Sequence, residues 1–175
     1  HAAKTRGVTD KTVTIGSSVD LTGPSSFLGR GASAGAEAYF KYVNDQGGIH
    51  GREIKYIAEY NTYQPATAVA ALKKLVYRDK ILAICFSWGT VTTLAIADAL
   101  ERDKVPTLFY GITEAVFTPF SRHIFAPFPS GYRLSIGAAD YIMKELKPKE
   151  AKFACIYQDD EFGKSGLRGF KKAAE

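Results

Sequence analysis

The chain has 175 residues, of which 46% are hydrophobic and 23% are charged, a composition that can bury a substantial core and does not indicate disorder. Its net charge of +5 is spread along the sequence without an arginine-rich arm or a basic stripe with interleaved aromatic residues, which argues against nucleic acid as a partner. Its apolar runs are too short to span a bilayer, and three scattered histidines and two distant cysteines predict no metal site, disulfide or cofactor.

Strand and helix patterns alternate through the first 118 residues. The predicted strands are 13–19, 54–58, 81–86 and 105–110, with one helix after each of the first three. The first of these helices has its apolar positions at Ala32, Ala36, Tyr39, Phe40 and Val43. This β-α-β-α-β-α-β order predicts an α/β fold with a parallel sheet, helices on both of its faces and ligands at the carboxyl ends of the strands.

The pattern changes after residue 118, and proline and phenylalanine are frequent in the next passage. We expect a first lobe at 1–118, a stiff crossing between lobes at 119–130, and the beginning of a second lobe at 131–175. The second lobe is predicted to contain a helix over about 132–146, a strand over 152–157 and a last helix. One strand cannot bury a sheet, so we expect the chain to be the N-terminal part of a longer protein. Cys85 and Cys155 stand in strand-like runs and are expected to be buried.

The stretch from residue 81 to residue 94 reads as a strand that turns directly into a helix. A helix that begins there leaves its first N–H groups without partners inside the helix, and these groups favour an anion such as a carboxylate or phosphate. Ser87 and Thr90 add hydroxyls and Trp88 adds a broad apolar face, so the joint could hold a small molecule with an anionic end. The alternative is structural: a hydroxyl caps the helix and Trp88 packs against the next loop.

A specific turn follows the first long helix, with the sequence Asn44-Asp45-Gln46-Gly47-Gly48-Ile49-His50-Gly51-Arg52. It comes after the loop Asp20-Leu21-Thr22-Gly23-Pro24 and before loops at 87–90, 104–107 and 159–163. In order and spacing, these segments resemble the leucine/isoleucine/valine-binding type of periplasmic substrate-binding protein over nearly the whole chain. The resemblance implies a two-lobed type I periplasmic binding fold, in which each lobe is a parallel sheet flanked by helices. It also implies a periplasmic protein, released from its signal peptide, that delivers a small solute to an inner-membrane ABC permease.

The resemblance further implies nine ligand-binding residues. Ser87 and the amides near Trp88 are expected at the carboxylate of the solute. Gly111 and Thr113 are expected at its carboxylate and ammonium groups, and Phe162 is expected to cover it from the second lobe. The nine residues are Phe27, Leu28, Ser87, Trp88, Gly89, Thr90, Gly111, Thr113 and Phe162.

Two positions differ from the family pattern. The family often has an aromatic residue before the glycine of the first loop, where this chain has Leu28 with Phe27 beside it. Trp88 is larger than the small polar residue that is usual in amino-acid binders. The sequence therefore leaves open an amino acid, an aromatic carboxylate and an aliphatic carboxylate as the solute.

Other functions are compatible with parts of the sequence. Residues 29–34 fit a loose dinucleotide fingerprint, but they begin ten residues after Val19 ends the first strand, so we interpret the fit as a chance match. Residues 85–89 resemble a nucleophile elbow that has lost its first glycine, which would make Ser87 the nucleophile of a hydrolase with His123 as its base. We predict a binding protein without catalysis. The same binding fold also serves as the extracellular domain of receptors, so a sensor is the main alternative.

Overall fold

Five parallel strands form one sheet among the residues that the structure describes. The structure is a computed structural model and describes residues 5–23, 25–111, 113–149 and 152–174. Its strands are β1 (Thr12–Val19), β2 (Glu53–Tyr60), β3 (Ala83–Trp88), β4 (Thr107–Tyr110) and β5 (Ile124–Phe125). They lie in the order β2-β1-β3-β4-β5, and every neighbouring pair is parallel. The predicted parallel sheet is confirmed.

Helices cover both faces of this sheet, as predicted. They are α1 (Ser26–Asp45), α2 (Pro65–Lys73), α3 (Thr90–Arg102), α4 (Gly131–Tyr141) and α5 (Glu161–Ala174), and α2 and α4 continue into π-helical turns at Lys74–Arg78 and Ile142–Leu146. β2 and β3 lie on opposite sides of β1, and crossovers between parallel strands are right-handed, so α1 lies on one face and α2 on the other. α3 packs beside α2, and α4 packs against α5. None of the described helices combines the length and hydropathy that a membrane span requires.

The main apolar core lies between the sheet and the two helices α2 and α3. Leu72 of α2, Ile96 and Leu100 of α3, and Ile84 and Phe109 of the sheet are all buried there. Complete burial of such a side chain contributes about 1.5–3 kcal/mol to stability. This packing fixes α3 against the sheet and thereby places its first turn at the carboxyl end of β3.

The buried stripe of α1 consists of small residues. Gly29 and Ser33 are buried, whereas Tyr39 is 63% exposed and stacks on Tyr42 at the surface. Tyr39 lies about 80° around the helix from Gly29, which takes it off the stripe. A Cβ at Gly29 would lie 1.9 Å from the carbonyl oxygen of Asp20, so a glycine is needed for this close approach of α1 to β1. Tyr39, one of the apolar positions of the predicted helix, therefore lies at the surface and not in the core.

β3 has one extra residue between Ile84 and Ser87 relative to both of its neighbours. It advances by three residues from Ile84 to Ser87 where β1 and β4 each advance by two, which is a β-bulge. Residues three apart on a regular strand face opposite sides, yet Ile84 packs in the core beside α3 and Ser87 bonds to Thr93 of α3. The bulge therefore turns Ser87 toward α3 and leaves Trp88 on the opposite face.

The predicted strand over 152–157 is not formed. Residues 152–158 have no regular secondary structure and are exposed, and no strand in the described part of the chain lies beside them to complete a ladder. The expectation that Cys155 is buried is wrong for the same reason, whereas Cys85 in β3 is half-buried. Burial raises the pKa of the Cys85 thiol, which bonds to Ser17. Residues 124–125 of the predicted crossing join the sheet as β5, and the lobe boundaries stay a prediction.

One carboxylate attaches the segment before β5 to the end of α3. Glu101 accepts hydrogen bonds from the hydroxyl of Ser121 and, at 2.7 Å, from the backbone N–H of His123. Its second oxygen lies 2.9 Å from Nδ1 of His123. The bond from Ser121 and then those from His123 lower the pKa of Glu101 to about 2.

Replacing Glu101 by glutamine should destabilise the protein at neutral pH but not at very low pH. The pKa of this carboxyl falls from its ordinary 4.5 to about 2 on folding, so ionised Glu101 favours the folded state above pH 4.5 and ceases to do so as the pH falls to about 2. We expect the difference in melting temperature between wild type and Glu101→Gln, measured by circular dichroism, to shrink across that window. Glu37→Gln on the exposed side of α1 is the control, and a difference that stays constant across the window would contradict this role.

Candidate functional site

A cavity of about 720 Å³ lies at the carboxyl edge of the sheet, where the loops after β1 to β4 meet the start of α4 and the loop before α5. Its wall is formed by Ser25, Phe27, Leu28, Tyr63, Trp88, Gly89, Thr90, Tyr110, Gly111, Phe128, Pro129, Leu134, Gln158 and Phe162. Six of these residues are aromatic, and no charged side chain stands in the described wall. This edge is where ligands bind in open parallel α/β sheets.

Seven of the nine predicted ligand-binding residues lie in this wall. They are Phe27, Leu28, Trp88, Gly89, Thr90, Gly111 and Phe162. Ser87 and Thr113 lie outside the wall, and each is only 1% exposed. The fold therefore brings together predicted residues that range from the first turn of α1 to the first turn of α5.

Ser87 is hydrogen-bonded inside the protein. Its Oγ lies 2.8 Å from Oγ1 of Thr93 in α3, and both side chains are buried. His123, the base in the hydrolase interpretation, is paired with Glu101. Ser87 thus has a structural partner, and its contact with a solute stays a prediction.

Thr113 joins the end of the sheet to α5. Its hydroxyl donates to Oε1 of Glu161 at 2.7 Å and accepts from the N–H of Ala115 at 3.2 Å. The guanidinium of Arg168 also pairs with Glu161 and is the main cause that lowers the pKa of that carboxyl. Thr113 therefore holds the first turn of α5 against the sheet edge, and its contact with the ammonium of a solute stays a prediction.

Stacked aromatic rings form one side of the cavity. Trp88 stacks on Tyr110 with ring centroids 5.2 Å apart and on Phe86 at 6.0 Å, and Tyr110 meets Phe128 edge-on at 4.8 Å. Such pairs contribute about 0.5–1.5 kcal/mol each beyond the burial of their area. The result is an ordered apolar surface that runs from β3 across β4 to the segment before α4.

The indole N–H of Trp88 is bound to the loop after β1. It donates to Ser25 Oγ at 2.8 Å, and Ser25 Oγ donates in turn to Oδ2 of Asp20 at 2.8 Å. Asp20 is fully buried and also accepts from the backbone N–H groups of Gly23 and Ser25, at 2.6 and 2.9 Å. The edge of the indole is thereby tied to the end of β1.

Gly89 forms the sharp turn from β3 into α3. Its φ is 100°, and a Cβ there would lie 2.5 Å from Thr92 Oγ1 and 2.9 Å from the ring of Tyr63. Asn61 supports this turn from the end of β2, because its side-chain N–H donates to the carbonyl of Trp88 at 3.0 Å and its Oδ1 accepts from the N–H of Tyr63 at 2.9 Å. α3 therefore begins at the cavity, and the positive end of its dipole lies there.

Tyr63 closes the cavity toward the loop before α5. Its hydroxyl lies beside the side chains of Gln158 and Asp160. Burial and then the charge of Asp160 raise the pKa of Tyr63 above its ordinary value of 10.0, so the hydroxyl stays protonated at neutral pH. This contact connects the loop after β2 to the part of the chain that is predicted to begin a second lobe.

Seven wall residues are missing from the predicted set. They are Ser25, Tyr63, Tyr110, Phe128, Pro129, Leu134 and Gln158. A signal for Tyr63 and Tyr110 exists in the sequence, because each ends or follows a predicted strand and parallel strands end at the same edge. Phe128 and Leu134 carry no such signal, since the path of the chain after β5 alone brings them to the cavity.

Another cavity, of about 690 Å³, lies at the amino edge of the sheet. Its wall includes Arg6 and Asp103. The guanidinium of Arg6 donates to the carbonyl oxygens of Ile81 and Asp103 at 2.9 and 3.1 Å, so this cation is engaged in holding the N-terminal segment. The cavity at the carboxyl edge, which contains most of the predicted residues, is therefore the candidate functional site.

The chain matches known proteins over nearly its whole length. A sequence model of the family described as "Periplasmic binding protein" matches residues 12–175. The "Amino acid binding protein" of Pseudomonas aeruginosa is 29% identical over 156 residues, which cover 86% of this chain and 40% of that relative.

Two solved structures show the same fold. The fatty acid ABC transporter substrate-binding protein from Thermomonospora curvata is 29% identical, with a TM-score of 0.86, over 98% of this chain and 43% of that chain. A branched chain amino acid ABC transporter from Thermus thermophilus with bound valine is 25% identical, with a TM-score of 0.85, over 95% of this chain and 43% of that chain. The chain thus spans about 40% of the length of the curated relative and 43% of each of these two structures. The family resemblance and the α/β fold predicted from the sequence are confirmed, and the chain belongs to the periplasmic binding protein family.

Proposed function

We propose that the chain is the solute-binding part of an ABC importer and holds its solute in the cavity at the carboxyl edge of the sheet. The cavity itself carries this proposal. Its volume of about 720 Å³ falls within the roughly 300–1,000 Å³ of ligand sites, and its wall joins segments from residue 25 to residue 162. The protein binds its solute without transforming it, a role supported by the separate hydrogen-bond partners of Ser87 and His123.

The solute we propose is an amino acid or another small carboxylate with an apolar body. Gly89 and Thr90 bring the start of α3 to the cavity, where backbone N–H groups and the helix dipole favour a carboxylate. Trp88, Tyr110 and Phe128 offer an apolar surface to the rest of the molecule. The names of the two structural relatives, one a fatty acid protein and one with bound valine, support this class.

The site of action we propose is the periplasm, after removal of a signal peptide, and the partner is an inner-membrane ABC permease. Membership of the periplasmic binding protein family supports both statements. The ABC transporter names of the two structural relatives support the permease as the partner that receives the solute.

Calorimetric titration with L-valine, benzoate and decanoate tests the proposed function. We expect saturable binding of at least one of these carboxylates. Trp88 is the only tryptophan of the chain, so its fluorescence emission should shift as the same solute saturates the protein. If none of the three binds and the emission stays constant, the proposal fails.

Ser87→Ala separates a ligand contact from a structural role. The substitution leaves the buried hydroxyl of Thr93 without its partner, so the free energy of unfolding should fall by about 1–3 kcal/mol in urea titrations. If Ser87 also holds the carboxylate, the affinity should fall by about tenfold or more. Thr93→Val is the matched control, because it removes the same hydrogen bond from the side of α3. Equal affinities of the two variants would leave Ser87 with a structural role only. Thr113→Ala tests the other predicted ligand contact in the same calorimetric titration.

A further inference from the structure

We propose that Ser25 and Asp20 are positioning residues that orient the indole of Trp88 in the cavity wall and thereby determine which solutes fit. The inference rests on the proposed solute-binding function. Asp20 is fully buried and lies outside the wall, so it acts on a solute only through its neighbours. Trp88 contributes the largest ring of the wall, and its orientation sets the surface that a solute meets.

The relay of hydrogen bonds from Trp88 through Ser25 to Asp20 has one possible direction. The indole Nε1 of Trp88 can donate but not accept, so Ser25 Oγ is the acceptor of their 2.8 Å contact. The single hydroxyl proton of Ser25 is then donated to the carboxylate of Asp20, also at 2.8 Å. Ser25 therefore has no proton left for a solute, and Trp88 presents its ring face rather than its N–H.

The orientation of the Trp88 ring is consistent with this positioning role of Ser25 and Asp20. The plane is within 13° of the ring of Phe86 and within 29° of the ring of Tyr110. Rotation of the indole about its terminal torsion has two broad minima, and the bond to Ser25 selects the one that points the N–H to the loop after β1. Without this bond the ring can turn over and carry a polar N–H to the solute side of the wall.

Stabilisation of the loop after β1 accounts for part of the role of Asp20 but does not account for the hydroxyl of Ser25. Asp20 also accepts from the backbone N–H groups of Gly23 and Ser25, so its replacement disturbs the loop itself. Ser25 is the N-cap residue of α1, yet its side chain makes no capping hydrogen bond to that helix. Removing the Ser25 hydroxyl therefore alters the relay and leaves the helix start unchanged, which makes Ser25 the better position for a test.

The test compares Ser25→Ala, Ser25→Thr and, as matched control on the next residue, Ser26→Ala. The indole N–H of Trp88 gives a separate resonance in a proton–nitrogen correlation spectrum, since the chain has one tryptophan. In Ser25→Ala this resonance should move upfield and exchange faster with solvent, and Ser25→Thr should restore it. The affinity for the tightest of L-valine, benzoate and decanoate should fall by about two- to tenfold in Ser25→Ala, with a changed order among the three probes.

Several outcomes overturn the proposal. An indole resonance that is unchanged in Ser25→Ala, or that moves equally in Ser26→Ala, shows that the relay does not orient Trp88. Equal affinities and an equal order of probes in wild type and Ser25→Ala show that the orientation does not select solutes. If no probe binds the wild type, the proposed function fails, whereas the indole resonance still decides whether Ser25 orients Trp88.

Discussion

Replacing Gly89 by alanine is expected to destabilise the protein and to remove tight solute binding. Gly89 has a φ of 100° and a ψ of 137°, a region in which another residue costs about 1–3 kcal/mol. The new Cβ would also lie 2.5 Å from Thr92 Oγ1 and 2.9 Å from the ring of Tyr63. Tyr63 and the start of α3 must then separate, and both belong to the cavity wall. We expect a melting temperature several degrees lower by circular dichroism and an affinity lower by about tenfold or more by calorimetry.

Gly35→Ala in α1 is the matched control for this substitution. A Cβ at Gly35 meets no atom within 4 Å, and the residue lies inside a helix on its exposed side. Alanine there should stabilise the protein by about 0.5–1 kcal/mol and leave the affinity unchanged. If Gly89→Ala melts and binds like Gly35→Ala, the turn into α3 is not strained and does not shape the cavity.

Trp88→Ala is expected to produce the largest loss of affinity for a solute with an aromatic or long aliphatic body. The indole is the largest apolar element of the wall, and its loss also removes the stacking partner of Tyr110. Truncation of such a buried aromatic contact costs about 2 kcal/mol or more, which is roughly thirtyfold in affinity. Benzoate and decanoate should therefore lose more affinity than L-valine, which is anchored mainly by its charged groups. Calorimetric titration with the three probes measures the difference.

Tyr42→Ala is the control, because Tyr42 is an exposed aromatic residue on α1 outside the wall. Its affinities should equal those of the wild type. Trp88→Phe should recover part of the loss, since it restores a ring but not the N–H donor to Ser25. An equal loss for all three probes would show that Trp88 maintains the shape of the cavity and does not recognise the apolar body of the solute.

The order of strands and helices could be predicted because each element has a periodic pattern of hydrophobic residues in the sequence. The β-bulge could not be predicted. Ile84, Cys85 and Phe86 are all apolar, so an extra residue among them leaves no break in the pattern. The strand predicted over 152–157 is the opposite case, because the sequence favours a strand that does not form. A strand forms only beside a partner, and the described part of the chain has none there.

The candidate site was predictable wherever a residue ends or follows a parallel strand. Trp88 and Gly111 lie in the cavity wall for that reason. Ser87 directly precedes Trp88 and carries a hydroxyl, which suggests a ligand contact, but the bulge turns it to Thr93 instead. The relay from Trp88 to Asp20 was not predictable, because it joins residues 68 positions apart through the hydroxyl of Ser25, and no periodic pattern encodes such a meeting.

The extra residue of β3 makes the cavity depend on the register of this strand as well as on its composition. If β3 ran without the bulge from Ile84 to Ser87, regular alternation over three residues would turn Ser87 to the cavity and direct Trp88 toward the core beside α3. Loss of the bulge at the present length of the strand would therefore remove Trp88 from the wall and disrupt the core in a single step. A point substitution at Trp88 leaves the register intact and alters the wall alone. Solute preference can therefore change through substitutions at this position, provided that the bulge keeps the indole on the cavity face.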